Sequence, residues 1–188
     1  FEVAKHTGAI IKYIDLDEEG KVTLENVRKA VTEHTKIISL AQITNVLGYL
    51  APIKEICNFA HEHDIIVCVD GAQSAPHHAV DVQDLDVDFF AFSGHKMCGP
   101  TGVGVLYGKY HLLEEMTPTR FGGGSNARYN SCGLVKLKNA PTKFETGTPN
   151  IEGVIGLGSA IEYLQNIGMK NIEEHEAMLR KYAVEKMK

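Results

Sequence analysis

Ile65-Ile66-Val67-Cys68-Val69-Asp70 decides how the chain is read: five apolar residues in a row, then a carboxylate. A strand that is apolar on both faces is buried on both faces, which is the habit of parallel sheets covered by helices. The surrounding sequence agrees. Upstream, Pro52 opens a helix that places Ile53, Ile56, Cys57 and Ala60 on one face. Before it, Lys36 to Ala41 reads as a buried strand. Earlier still, Thr23 can cap a helix carrying Leu24, Val27 and Val31. Ala9 to Leu16 reads as a short strand or extended segment. Downstream, Phe89 to Phe92 and Val103 to Tyr107 read as further strands, and Gly122-Gly123-Gly124 as a loop after a short helical segment. Ile151 to Ile167 reads as a long helix ended by Gly168, with another helix from Asn171 onward. Strands alternating with amphipathic helices predict an α/β fold with a mostly parallel sheet flanked by helices. No repeat or linker divides the chain, so one domain is expected.

Bulk properties narrow the function. The 188 residues carry 19 basic and 24 acidic side chains, a net charge of -5. That excludes a nucleic-acid platform, which needs a concentrated basic patch. No apolar run is long enough to span a bilayer, so no membrane partner is expected. Cys57, Cys68, Cys98 and Cys132 form no C-x-x-C pair and match neither a zinc site nor a disulfide framework. A reduced, cytoplasmic compartment is expected. His77-His78 is an adjacent pair read as loop or surface histidines, and no metal site is expected. The opening Phe1-Glu2-Val3 and the helix-like run Asn171 to Lys188 lead us to expect a piece of a longer protein.

In an open α/β sheet, ligands gather at the carboxyl ends of the strands. Asp70 stands there, and Gly71-Ala72-Gln73-Ser74 adds a tight turn and an amide. Alone, Asp70 is more simply a helix cap. Ser93-Gly94-His95-Lys96 follows the next strand. A lysine just past a buried strand is unusual, and desolvation there would lower its pKa and make it a nucleophile toward an aldehyde. Ser93 and His95 offer donors to a phosphate, and Gly94 lets the backbone come close. A carboxylate, an amide, phosphate donors and a lysine are together what pyridoxal phosphate requires, with Lys96 as the Schiff-base lysine.

These blocks, with Gly99-Pro100-Thr101-Gly102, Thr35-Lys36-Ile37-Ile38, Thr44-Asn45-Val46-Leu47-Gly48, Asp81-Val82-Gln83 and Phe144-Glu145-Thr146-Gly147-Thr148-Pro149-Asn150, resemble the class V aminotransferase family. Within it the sequence is most similar to the SUF-type (group II) cysteine desulfurases and selenocysteine lyases. The resemblance runs in order along nearly the whole chain. It implies fold type I, with residues 1–188 forming the central part of the large cofactor-binding domain. The N-terminal segment and the C-terminal small domain would be absent. By position, Lys96 resembles the lysine that holds the cofactor and Asp70 the partner of the pyridinium nitrogen. Gln73 resembles the donor to the phenolic oxygen, and Ser93 and His95 the phosphate ligands. Asn45 matches a residue near the ring and the substrate carboxylate. Thr148 resembles the residue that reaches the neighbouring subunit's phosphate, which implies a homodimer.

The implied reaction converts L-cysteine to L-alanine, with sulfur passing to an enzyme cysteine and on to an acceptor protein for iron-sulfur cluster assembly. The sulfur-accepting cysteine and the arginine that holds the substrate carboxylate are expected outside these residues, so the chain alone is expected to be inactive. Cys57 and Cys68 fit a buried helix face and a buried strand, Cys98 reads as a structural loop residue, and Cys132 as exposed. The stretch Arg128 to Lys138 departs from the family pattern. Three other readings stand beside desulfurase: selenocysteine lyase, another class V aminotransferase such as a transaminase, and a non-catalytic fragment that at most binds the cofactor.

Overall fold

The computed structural model describes residues 1–129, 133 and 135–187. The chain runs α1 (Glu2–Thr7), α2 (Leu24–Ala30), β1 (Ile37–Ala41), α3 (Ile53–His61), β2 (Ile66–Asp70), α4 (Val82–Leu85) and β3 (Phe89–Ser93). It continues through β4 (Gly104–Gly108), α5 (Tyr110–Glu115), β5 (Asn126–Tyr129), β6 (Val135–Leu137), α6 (Ile151–Ile167) and α7 (Met169–Lys186). The main sheet has the order β1-β2-β3-β4. β1, β2 and β3 run parallel, and β4 returns antiparallel to β3. The mostly parallel α/β sheet expected from the sequence is therefore present. β5 and β6 form a separate antiparallel pair.

Local chemistry sets the element ends. The Thr23 hydroxyl accepts from the Asn26 amide and starts α2, and the Asp81 carboxylate accepts from Gln83 and Asp84 and starts α4. Asn150 caps α6 through the Gly153 amide, and Gly168 at φ 90° ends it. Ile53, Ile56, Cys57 and Ala60 of α3 are buried against Val67, Val69 and Phe90, so the period read from the sequence is the face that packs. A second, smaller cluster joins Leu157 and Leu164 of α6 to Met97.

Three expectations are corrected. Ala9 to Leu16 joins no sheet, and Ile10 is 94% exposed. β1 is not buried throughout: it lies at the sheet edge, where Ile38 is buried but Ile37 is 61% exposed. The last helix begins at Met169, directly after Gly168, rather than at Asn171. The stretch Arg128 to Lys138 includes the end of β5 and all of β6, and some of it, with Cys132, lies outside the described residues. Among the described residues, no helix is long and apolar enough to cross a membrane.

A charge network ties the amino ends of β2 and β3. Asp88 is buried and accepts from the Val67 amide at 2.7 Å, from His61 Nε2 at 2.9 Å and from Lys109 Nζ at 2.9 Å. Asp86 pairs with the same lysine at 2.6 Å and with His61 Nδ1 at 3.0 Å. Burial pushes the Asp88 carboxyl up, but the Val67 amide, His61 and Lys109 outweigh it and hold it below the usual carboxylate range. Lys109 bonding holds Asp86 low as well.

Two predictions follow from this packing. Depressed carboxylates stabilise the fold above their unfolded value and lose that contribution as pH falls through the folded value. Asp88→Ala strands the Val67 amide and costs about 2–3 kcal/mol at neutral pH. In urea melts, its gap from the parent chain closes as pH drops below the ordinary carboxyl value of 3.8; a gap independent of pH would exclude the ionic contribution. Second, a Cβ on Gly71 would lie 2.0 Å from the Phe90 ring, whereas one on Gly123 meets nothing within 4 Å. Gly71→Ala therefore loses about 1–3 kcal/mol through overpacking. Gly123→Ala melts close to the parent, and equal melts for the two variants would mean that Phe90 yields freely.

Candidate active site

The parallel register brings the candidate residues to one edge. Ala41 of β1 lies opposite Asp70 of β2, and Asp70 lies opposite Ala91 of β3. All three strands point their carboxyl ends the same way, so the loops after Ala41, Asp70 and Ser93 emerge side by side. β3 runs on to Ser93, about 7 Å past Ala91 at the usual rise per residue, so its loop begins beyond the end of β2.

The turn after β2 is fixed by its own backbone. The Gly71 amide donates to the Ala91 carbonyl at 2.7 Å, and the Gly71 carbonyl accepts from the Ser74 and Ala75 amides. Ser74 is fully buried, and its hydroxyl donates to the same carbonyl. Asp70 stays exposed. Its Oδ1 accepts from the Ala72 amide at 2.8 Å, leaving Oδ2 to turn toward a cationic N–H. The Gln73 side-chain amide donates to Asn45 Oδ1, joining the loop after β1 to the turn after β2. The carboxyl ends are also stitched through the main chain, since the Gln42 amide donates to the Asp70 carbonyl at 2.9 Å.

Lys96 sits on a short 3-10 turn, Gly94–Lys96, directly after β3. The Gly94 carbonyl accepts from both Met97 and Gly99, and the Gly94 amide donates to Val103. The packing excludes a side chain at Gly99, where a Cβ would lie 2.8 Å from the Gly94 oxygen, and crowds one at Gly94, where a Cβ would lie 3.0 Å from the Val103 oxygen. Ser93 is half-buried, while His95 and Lys96 are exposed. The burial expected around Lys96 is thus not provided by this chain, because the turn lifts the side chain off the end of the sheet. Cys98 is exposed in a left-handed conformation, φ 63°, on the same turn.

Asn45, Asp70 and Gln73 are therefore brought together, and Ser93, His95 and Lys96 stand on the neighbouring strand end. Thr148 is exposed in the segment before α6, and among the described residues no hydrogen bond joins it to the other six. Sequence reasoning missed Gln42 and Thr44. Among the described residues, Gln42 Oε1 and Thr44 Oγ1, close to Asn45 in sequence, are buried without a hydrogen-bond partner. Their signal was polar residues placed directly after a strand. A cavity of about 380 Å³ lies elsewhere, between β3, β4 and α6, lined by residues such as Phe92, Tyr107 and Leu164. None of the seven candidates lines it, and its apolar wall suits packing rather than polar chemistry. His77 and His78 pair with Glu176 at 2.6 Å and Glu173 at 3.2 Å on α7, which accounts for both as surface contacts. Among the described residues, no cluster of three or more His, Cys, Asp or Glu side chains could hold a metal ion.

The donor set fits pyridoxal phosphate in kind. It offers an open carboxylate oxygen, an oriented amide, a hydroxyl and an imidazole on adjoining strand ends, an exposed amine, and two buried acceptors that lack partners.

Comparison with known proteins agrees. A probable cysteine desulfurase of Halalkalibacterium halodurans is 51% identical over 188 residues, covering 99% of this chain and 46% of that protein. The apo structure of a cysteine desulfurase from Thermococcus onnurineus NA1 superposes with a TM-score of 0.91 at 37% identity, covering 98% of this chain and 46% of that one. A C-DES mutant with glycine covalently linked to its PLP cofactor superposes with a TM-score of 0.71 at 29% identity, covering 80% of this chain and 40% of that one. The chain thus spans less than half the length of the relatives it matches. Residues 1–188 match the description "Aminotransferase class-V" throughout, and the chain belongs to that family.

Proposed function

We propose that this chain is the core of a pyridoxal-phosphate-dependent cysteine desulfurase, taking L-cysteine to L-alanine and passing the sulfur to an enzyme cysteine. The observation that carries the reading is the in-register alignment of Asp70 with Ala91, which sets Asp70 and Gln73 beside Ser93, His95 and Lys96. The relatives named above support the choice of substrate.

Each side chain then has a task at a stated atom. Asp70 Oδ2 holds a proton on the cofactor's ring nitrogen. Gln73, oriented by Asn45, donates its amide to the phenolic oxygen. Asn45 also faces the substrate carboxylate. Ser93 and His95 hold the phosphate, and Thr148 reaches the phosphate of the neighbouring subunit in a homodimer. Lys96 Nζ holds the cofactor and moves protons at the substrate as general acid and base. Pyridoxal phosphate, when bound, supplies the electron sink for charge developing on the substrate.

Two of the thiols, Cys57 and Cys68, are poor sulfur acceptors. Burial, with the charges of Asp88 and Asp86, pushes the Cys57 thiol up to about 12, and burial raises that of Cys68. A nucleophilic cysteine must reach its thiolate. In the proposed reaction the accepting cysteine belongs to a part of the protein outside these residues, and the sulfur passes from it to an acceptor protein for iron-sulfur cluster assembly. Free thiols at Cys57, Cys68 and Cys98 accord with a reduced, cytoplasmic setting.

The test separates the cofactor site from the reaction. The 188-residue chain with added pyridoxal phosphate turns yellow, and borohydride labels the peptide carrying Lys96; a colourless, unlabelled chain overturns the cofactor site. The same chain releases no sulfide from cysteine, and robust release would place the nucleophile among its own four cysteines. In the complete gene product, Lys96→Ala slows alanine formation by about 10²- to 10⁴-fold, the span of general acid–base catalysis.

A further inference from the structure

Lys143 is nine-tenths buried, yet the proposed chemistry gives it no task. A lysine is seldom buried without one. It lies on the 3-10 turn Thr142–Phe144, which ends four residues before Thr148. Its ammonium donates to the Glu114 carbonyl at 2.7 Å, at the end of α5, and stands 5.4 Å from the Phe144 ring centre. A cation at a helix C-terminus meets the negative end of the helix dipole. The bond is reciprocated, because the Glu114 carboxylate accepts from the Ala140 amide. The turn and the residue two before it are thereby clasped to α5.

A second contact holds the segment beyond the turn. A Cβ on Gly122 would lie 1.9 Å from the Thr146 carbonyl oxygen, and one on Gly124 would lie 2.6 Å from the Glu145 oxygen. The glycine loop therefore lies backbone against backbone on Glu145 and Thr146. Buried Ser125 holds that loop in shape, donating to the Gly122 carbonyl at 2.9 Å. Beyond Thr148, Asn150 is fixed as the cap of α6. Thr148 itself remains exposed between these anchors.

We infer that Lys143 is a positioning residue, clasping the Ala140–Phe144 turn to α5 so that the anchored arm after it presents Thr148 to the cofactor phosphate of the neighbouring subunit. The inference rests on the reading of Thr148 proposed above. Its distinguishing consequence is that loss of Lys143 weakens the cofactor site of the other subunit and not that of its own.

The complete gene product is titrated with pyridoxal phosphate, trapped with borohydride, and scored for the labelled Lys96 peptide. Lys143→Met raises the apparent dissociation constant about tenfold, the loss of one hydrogen bond to a charged group. Lys143→Arg stays close to the parent. Glu114→Ala, at an exposed position, shifts it in the same direction and replaces Lys143→Met if that variant does not fold. Hybrid dimers of Lys96→Ala with Lys143→Met then decide the direction of action. Only the Lys143→Met subunit can be labelled, and its phosphate arm comes from a subunit with Lys143 intact, so it labels with parent affinity. Weak labelling in the hybrid shows action within one subunit and overturns the inference. If Thr148→Ala weakens binding while Lys143→Met and Glu114→Ala do not, the role of Lys143 falls and that of Thr148 stands. If Thr148→Ala has no effect, the reading of Thr148 falls and the inference falls with it.

Discussion

The Phe90 ring lies where a side chain on Gly71 would be, and most of the site depends on that close approach. β2 and β3 are parallel neighbours, so a residue leaving the end of β2 must turn across the top of β3. With no Cβ at Gly71, the chain turns at once, bonding its amide to Ala91 and its carbonyl to the two amides at Ser74 and Ala75. Asp70 is thus the last strand residue and Gln73 falls within a tight turn, close enough to Asn45 for their amides to bond. The same logic repeats one strand over. Gly94 and Gly99 bring main chain onto main chain and leave Lys96 on a short turn closed by bonds to the Gly94 carbonyl. Polar side chains are held in place here by the backbone beneath them.

The two ends of the sheet are built differently. At the amino ends, Asp86, Asp88, His61 and Lys109 satisfy one another, and Asp88 also takes the Val67 amide. That is a satisfied network, and satisfied buried polar networks rigidify the fold. At the carboxyl ends, Asp70 keeps an oxygen open, and Gln42 and Thr44 hold buried atoms with no partner. Unpartnered buried acceptors are costly. Gathering them at the ligand-binding edge of a parallel sheet, beside an oriented amide, is the pattern of a site that is completed by what binds there.

The strands and helices of the core were legible because their signals are local. The spacing of Ile53, Ile56, Cys57 and Ala60 names a helix face, and the run Ile65 to Val69 names a covered strand. What is paired and what is open depends on neighbours, which sequence spacing does not report. Lys36 to Ala41 has the composition of an inner strand but is the outermost described strand of its sheet, and Ala9 to Leu16 is mostly exposed, although Ile14 packs against the core. Asp70, Gln73 and Lys96 were legible as residue types at strand ends. Gln42 and Thr44 were not, because an unmet hydrogen bond is a fact of three-dimensional surroundings. Lys143 was missed for a similar reason: its clasp with Glu114 joins residues 29 apart in sequence.

Lys96 shows most clearly what this chain supplies toward chemistry. A lysine that attacks a carbonyl near neutral pH needs its ammonium stripped of water or set beside another cation. The turn Gly94–Lys96 fixes the direction of the side chain but leaves it exposed. In the role proposed for Lys96, these residues contribute orientation, and dehydration is left to what binds at the carboxyl edge. That division matches the cysteines, where burial withdraws Cys57 and Cys68 from reaction. In one half of the fold burial keeps groups inert, and at the strand ends Lys96 is left exposed.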